Sequence, residues 1–152
     1  MRSTKDGKNH VIILERGEDV IPVLLKYCAE HKITAGVFTG IGAVNNIEIG
    51  YYDFEERKYH FRSEPGDFEV ASMNGNVAVF DPEGGFASDG AGGKPFIHAH
   101  AVLSRCDKTL ECIGAHIKKA SVAVTLEVFL TEMNVGLTRK HDDFIGLKLL
   151  NV

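Results

Sequence analysis

His98 and His100 stand two residues apart in Pro95-Phe96-Ile97-His98-Ala99-His100, and a third imidazole follows in Gly114-Ala115-His116. On a β-strand, residues two apart share a face, so the first two rings project together and their Nε2 atoms come near enough to share one cation. An antiparallel partner strand can present His116 to the same face if parity allows. The connection must then hold an odd number of residues, which Asp107-Lys108-Thr109 would supply, or a bulge must intervene, for which Gly114 is suited. Three histidines leave a fourth coordination position open to water, the pattern of catalytic rather than structural zinc sites. Neutral imidazoles flanked by apolar Phe96 and Val102 suit zinc, or another divalent transition metal, better than calcium or magnesium. The same HxH spacing is also compatible with two unligated polar residues on an apolar strand.

Two carboxylates interrupt apolar segments, Glu69 in Phe68-Glu69-Val70 and Glu127 in Leu126-Glu127-Val128. Each is either solvated or at an interface, or it serves such a site as a fourth ligand or a general acid/base. Two glycine motifs fail closer reading. Gly40-Ile41-Gly42-Ala43-Val44-Asn45 has Asn45 where a dinucleotide fingerprint needs its third glycine, and the next segment reads as a strand rather than a helix. Gly93-Lys94 has Ser88 at the first glycine position of a phosphate loop and Pro95 in place of Ser or Thr. Cys112 reads as a small packed residue, and no Ser-His-Asp or Cys-His arrangement has motif support. The basic groups Lys118-Lys119 and Arg139-Lys140-His141 read as solvated faces or tail.

The elements that must position these groups are mostly strands. His10–Leu14 is a short buried strand. Gly17 and Asp19 open a helix that runs to about His31, with Ile21, Leu24, Leu25 and Cys28 as its apolar stripe and Pro22 in its first turn. The β-branched, glycine-rich segment Ile33–Val44 comes next, and strands then lie around Ile47–Tyr51 and around Tyr59–Phe61, separated by the charged turn Asp53–Arg57. Asn74-Gly75 predicts a hairpin turn between Phe68–Met73 and Val77–Phe80, because both turn positions favour positive φ. Asp81–Lys94 is a long glycine-rich loop. Further strands are expected at Phe96–Ser104, Leu110–Ile117 and Val122–Thr131, with one more apolar segment at Phe144–Leu150. One helix against a mostly antiparallel sheet is an α+β fold, in a single domain over 1–152.

Composition fits that reading. The chain has 152 residues, 17 Lys and Arg against 21 Asp and Glu, and a formal charge of −4. That balance argues against a surface built wholly to hold phosphates. No apolar run reaches the roughly 18 residues needed to span a bilayer, and three cysteines without CxxC spacing fit reduced thiols, so a cytoplasmic protein is expected.

Taken in order, Gly40-Ile41-Gly42-Ala43-Val44, Gly50-Tyr51-Tyr52, Phe68-Glu69-Val70 with Asn74-Gly75-Asn76, and Gly93-Lys94-Pro95-Phe96-Ile97-His98-Ala99-His100-Ala101-Val102-Leu103 resemble the PPC (plants and prokaryotes conserved) domain family. Gly114-Ala115-His116 and Val124-Thr125-Leu126-Glu127-Val128 complete the resemblance, which spans about residues 10–131 and leaves 132–152 as a C-terminal extension. It implies a homotrimer and the DNA-binding label of the plant AT-hook members. The Arg-Gly-Arg-Pro element of those members does not occur in this sequence, so DNA affinity is expected to be weak and unspecific. The fold is also similar to that of acetolactate decarboxylase, whose zinc is held by an HxH pair and a later histidine, matched here in order and type by His98, His100 and His116. Two readings stay open: a DNA-associated regulatory module with a three-histidine metal site, and a zinc-dependent lyase or hydrolase acting on a small molecule.

Overall fold

Alternating apolar and polar residues place most of this chain in strands. A computed structural model describes residues 1–80 and 94–152. In chain order the elements are β1 (Arg2–Asp6), β2 (Asn9–Glu15), α1 (Val20–Glu30), β3 (Gly36–Asp53), β4 (Lys58–Glu64), β5 (Phe68–Phe80), β6 (Pro95–Arg105), β7 (Cys112–Glu132), β8 (Thr138–Asp142) and β9 (Leu147–Asn151). All strand pairs are antiparallel except β5 with β8. The α+β expectation, one helix with a mostly antiparallel sheet, therefore holds.

β3 pairs with both β5 and β7, and β6 pairs with the same two strands. These four strands close a hydrogen-bonded ring, which leaves fewer open edges than a flat sheet would. β2 and β1 extend from β7, β4 lies along β3, and the β8–β9 hairpin joins the end of β5. Inside are Ile12, Leu14, Leu24, Phe68, Leu103 and Leu126, all essentially inaccessible to water.

The helix begins where expected. Asp19 is its N-cap in extended conformation, but its carboxylate accepts a hydrogen bond from Ser121 Oγ (2.8 Å) instead of capping the first turn. Its buried stripe is Val20, Leu24, Tyr27 and Cys28, with Ile21 and Leu25 at the margin. Behind it His10, fully buried, bridges Tyr27 Oη (Nδ1, 2.9 Å) and Glu132 Oε1 (Nε2, 2.7 Å), tying β2, α1 and the end of β7 together. Burial holds the Cys28 thiol up at about 12, so it stays protonated.

Four expectations are corrected. Asn74-Gly75 is not a turn. Neither residue has positive φ, and β5 runs straight through them. Gly75 is required there for space: it pairs with Phe38 on one side and Ala99 on the other, and a Cβ would strike the Phe38 ring (Cε1, 2.6 Å) and the His98 carbonyl oxygen (2.6 Å). Leu110–Ile117 and Val122–Thr131 are one strand, β7, whose polar Lys118-Lys119 stretch is an exposed section and not a break. The segments within Ile33–Tyr51 likewise form one strand, β3, and Gly40-Ile41-Gly42 lies inside it with no helix following. Cys112 is exposed at the start of β7 and does not pack in the core. The Asp81–Lys94 loop, with Gly93 and Ser88, falls almost wholly outside the described residues.

Because Gly75 is enclosed by backbone and an aromatic ring, Gly75→Ala should lower stability by about 1–3 kcal/mol, the usual cost of overpacking. Urea denaturation checks this, and Phe38→Leu in the same chain should recover part of the loss.

Candidate metal centre

Along β6, Ile97, Ala99, Ala101 and Leu103 enter the core, which turns Phe96, His98, His100 and Val102 to the opposite face. The β6–β7 pairing sets His116 directly opposite His100. Between the paired residues Ser104 and Cys112 the chain holds an odd number of residues, as parity requires. This connection is longer than Asp107-Lys108-Thr109, which instead form its tip, with Asp107 Oδ1 accepting from the Thr109 amide (2.8 Å). The register passes Gly114 without a bulge.

Three imidazoles therefore converge. Ring centroids are 5.0 Å apart for His98–His100, 5.2 Å for His98–His116 and 5.4 Å for His100–His116. One nitrogen from each lies within 4.8 Å of the others. The Nε2 atoms of His98 and His100 are 3.1 Å apart. Two nitrogens bound tetrahedrally at about 2.05 Å would be about 3.3 Å apart, so this pair is already spaced for one zinc-sized ion. His116 Nδ1 is buried and meets no hydrogen-bond partner among the described residues. The donor set fits a divalent transition metal.

The electrostatics favour ligation too. Burial, reinforced by the Arg139 charge and the neighbouring rings, pushes His98 down to about 4. Burial, then His100 and Arg139, lowers His116 as well. These two rings are thus neutral at pH 7, the form that binds metal.

Other strands build the surroundings. β4 pairs with β3 so that Phe61, Gly50 and His116 fall in one row across the sheet. A Cβ on Gly50 would collide with the His60 carbonyl and lie 2.7 Å from the Phe61 ring, so only glycine lets this aromatic wall close on the histidine. The Tyr59 and Phe61 rings sit 5.1 and 6.1 Å from His116. Burial raises the Tyr59 phenol pKa, so it holds its proton beside the imidazoles. Tyr59, Phe61 and Arg139 were not expected here. A Tyr-x-Phe alternation on a strand after a charged turn was the only local sign of the first two.

Glu69 and Glu127 do not join the cluster. Glu69 pairs with Ser104 and is exposed, its carboxylate 3.9 Å from Cys106 Sγ. Glu127 lies towards the far end of β7 from His116, between Ile13 and Ile41. Strand register, invisible in a short window, separates both from the histidines. A second group, Asp53, Glu56 and His60, could also approach one ion. It is a capped surface turn: Asp53 Oδ1 accepts the amides of Glu55 (2.9 Å) and Glu56 (2.8 Å), and Glu56 pairs with Lys58 (2.7 Å).

A pH dependence follows for the metal-free protein. His98 binds its proton near 6.5 when unfolded and only near 4 when folded, so between these values the unfolded chain holds more protons. The stabilisation is complete above about pH 6.5 and is lost as pH falls towards 4. The urea midpoint should thus drop from pH 7.5 to pH 5, and His98→Ala should flatten that drop.

Comparisons place the chain among known proteins. The Plants and Prokaryotes Conserved (PCC) domain matches residues 1–134. No curated protein matches the chain. A plant- and prokaryote-conserved (PPC) protein of Pyrococcus horikoshii is 27% identical, with TM-score 0.81 over 96% of this chain and 92% of that one. A metal-containing protein of Archaeoglobus fulgidus is 29% identical, with TM-score 0.80 over 97% and 96%. A candidate DNA-binding protein of Ralstonia eutropha shares the fold at 24% identity, with TM-score 0.82 over 99% and 95%. The decarboxylase likeness also holds at the level of fold: a Staphylococcus aureus protein similar to α-acetolactate decarboxylase aligns with TM-score 0.54 at 12% identity, over 91% of this chain and 56% of that one. With 134 of its residues matched and its architecture shared from end to end, this chain belongs to the Plants and Prokaryotes Conserved (PCC) domain family.

Proposed function

We propose that this protein is a metal-binding member of its family, holding one divalent transition metal, zinc foremost, through His98, His100 and His116. The observation that carries the reading is the convergence of one nitrogen from each imidazole within 4.8 Å. A neighbour at 29% identity is itself described as metal-containing. A divalent ion at such a site supplies Lewis acidity, polarising a ligand oxygen and making water acidic near neutral pH. The chain's own residues would do the rest. Tyr59 and Phe61 exclude solvent from the His116 side, and the protonated Tyr59 phenol offers a hydrogen bond to a bound small molecule. This is the equipment of a lyase or hydrolase of small molecules. Metal analysis of protein purified without chelators tests it: about one equivalent of zinc or a similar ion per chain is expected, and none after loading with excess zinc would overturn it.

The DNA-associated reading has less to draw on. Lys118 is held by Glu48 (2.8 Å) and lies over Phe61 (4.7 Å). Arg139, the first residue of the basic tail cluster, is 6% exposed and is therefore not the solvated tail contact that its sequence suggested. Neither basic group that the sequence offered is thus a free phosphate track, and the formal charge is −4.

We also propose a homotrimer. Outside the ring, Val37 and Ile41 of β3 and Phe129 of β7 are 48%, 52% and 48% exposed. The β2–β7–β3 register sets Phe129 between Val11 and Thr39, so these apolar groups form one patch at the opposite end of β7 from the histidines. A contiguous apolar surface of this kind marks an interface, and a second copy of this chain supports burial of it by symmetry.

A further inference from the structure

Arg139 lies on β8, beyond the stretch that matches the family. Its guanidinium is buried, yet its acceptors are neutral: Nη2 donates to Asn76 Oδ1 (2.8 Å) and Nη1 to the Lys148 carbonyl (3.0 Å). It stacks on the Phe96 ring at 4.9 Å. Its Nε is buried and finds no acceptor among the described residues. No carboxylate pairs with it there.

The location is specific. Asn76 is the cross-strand partner of His98. Phe96 precedes His98 by two residues on the same face of β6. A buried charge is strongly unfavourable without a counter-charge, and the described residues supply none, so a guanidinium held this way is fitted to take an anion. A divalent metal on three neutral imidazoles would bring two further positive charges and no compensating carboxylate. Nε–H is thus an unused donor on one edge of the planar guanidinium. Such an edge suits a carboxylate.

We propose that Arg139 is the anion-recognition residue of the three-histidine site, and that the site takes a small organic carboxylate. This rests on the metal reading above and names the ligand class for it. Phosphate, with more charge and more acceptor oxygens, calls for further donors than this single edge.

The test uses the full chain loaded with Co²⁺ and titrated with acetate, inorganic phosphate or neutral imidazole, followed by cobalt visible absorption and calorimetry. Acetate should bind the wild type. Arg139→Gln should weaken acetate at least about tenfold, as expected for loss of a charge-assisted pair, and leave imidazole binding unchanged. Cobalt affinity should hold or rise, since a positive neighbour is gone. Arg139→Lys, which keeps the charge and loses the fork, should fall between. Equal acetate affinity in wild type and Arg139→Gln overturns the proposal, as does phosphate binding more tightly than acetate through Arg139. If Arg139→Gln does not fold, the wild-type Arg139 Nε–H resonance decides: it should shift on adding acetate, and an unmoved signal overturns the assignment. If the chain takes up no cobalt, the metal reading fails by itself, and the same resonance in metal-free protein decides the anion proposal separately.

Discussion

Replacing His116 by Ala should leave the protein unable to keep a metal that the wild type retains through desalting. Losing an outer-shell partner of a metal ligand already costs 10–100-fold in affinity, so losing a ligand should cost at least about 100-fold. His100→Ala, on the facing strand, should behave alike, because the two residues oppose each other directly in the β6–β7 pair. Cobalt makes the outcome visible. Wild type should give the intense visible bands of a low-coordinate nitrogen site, and both variants the weak bands of hydrated ion. Far-UV circular dichroism of the metal-free variants should match wild type, since the rings lie on the outer face of β6 and β7 and not among the core residues. Full retention of cobalt by either variant would move the site elsewhere.

The second large effect concerns assembly. Phe129→Glu should convert the proposed trimer to monomers at micromolar concentration. Phe129 is 48% exposed in the single chain and sits centrally in the apolar patch with Val37 and Ile41. Trapping a carboxylate at a closed interface costs about several kcal/mol per copy, and a symmetric assembly incurs that cost in every subunit. Phe144→Glu provides the control: Phe144 is 79% exposed in the β8–β9 turn, outside the patch, and the change should leave the mass untouched. Sedimentation equilibrium decides. Wild-type protein sedimenting as a 16.7 kDa monomer would count against the trimer outright.

The candidate centre is largely legible in the sequence, for a reason of geometry. Strand periodicity puts His98 and His100 on one face, and an odd-length connection lets His116 of β7 fall opposite His100. Both facts are local. What was not legible is non-local. Asn74-Gly75 carries a strong turn signal, but Phe38 from a distant strand needs the space that Gly75 leaves. Arg139 reads as part of a polar tail because the parallel pairing of Val79-Phe80 with Thr138-Arg139, which buries it, has no signature in its own neighbours. Glu69 and Glu127 stand out as carboxylates within apolar segments, but register separates them from the histidines.

Closure of the strand ring also governs how the chain fares while it is being made. β3 is complete by Asp53, whereas its partner β7 ends at Glu132. At ribosomal rates of 5–20 residues per second, β3 waits on the order of ten seconds for the strand that covers its second edge. Through that interval an 18-residue strand bearing Val37 and Ile41 has only β4 and β5 to pair with. Such an edge invites other nascent chains. Non-local strand topologies of this kind then close in milliseconds to seconds. The period of greatest exposure to aggregation is thus set by synthesis of the intervening chain, and slower translation would lengthen it.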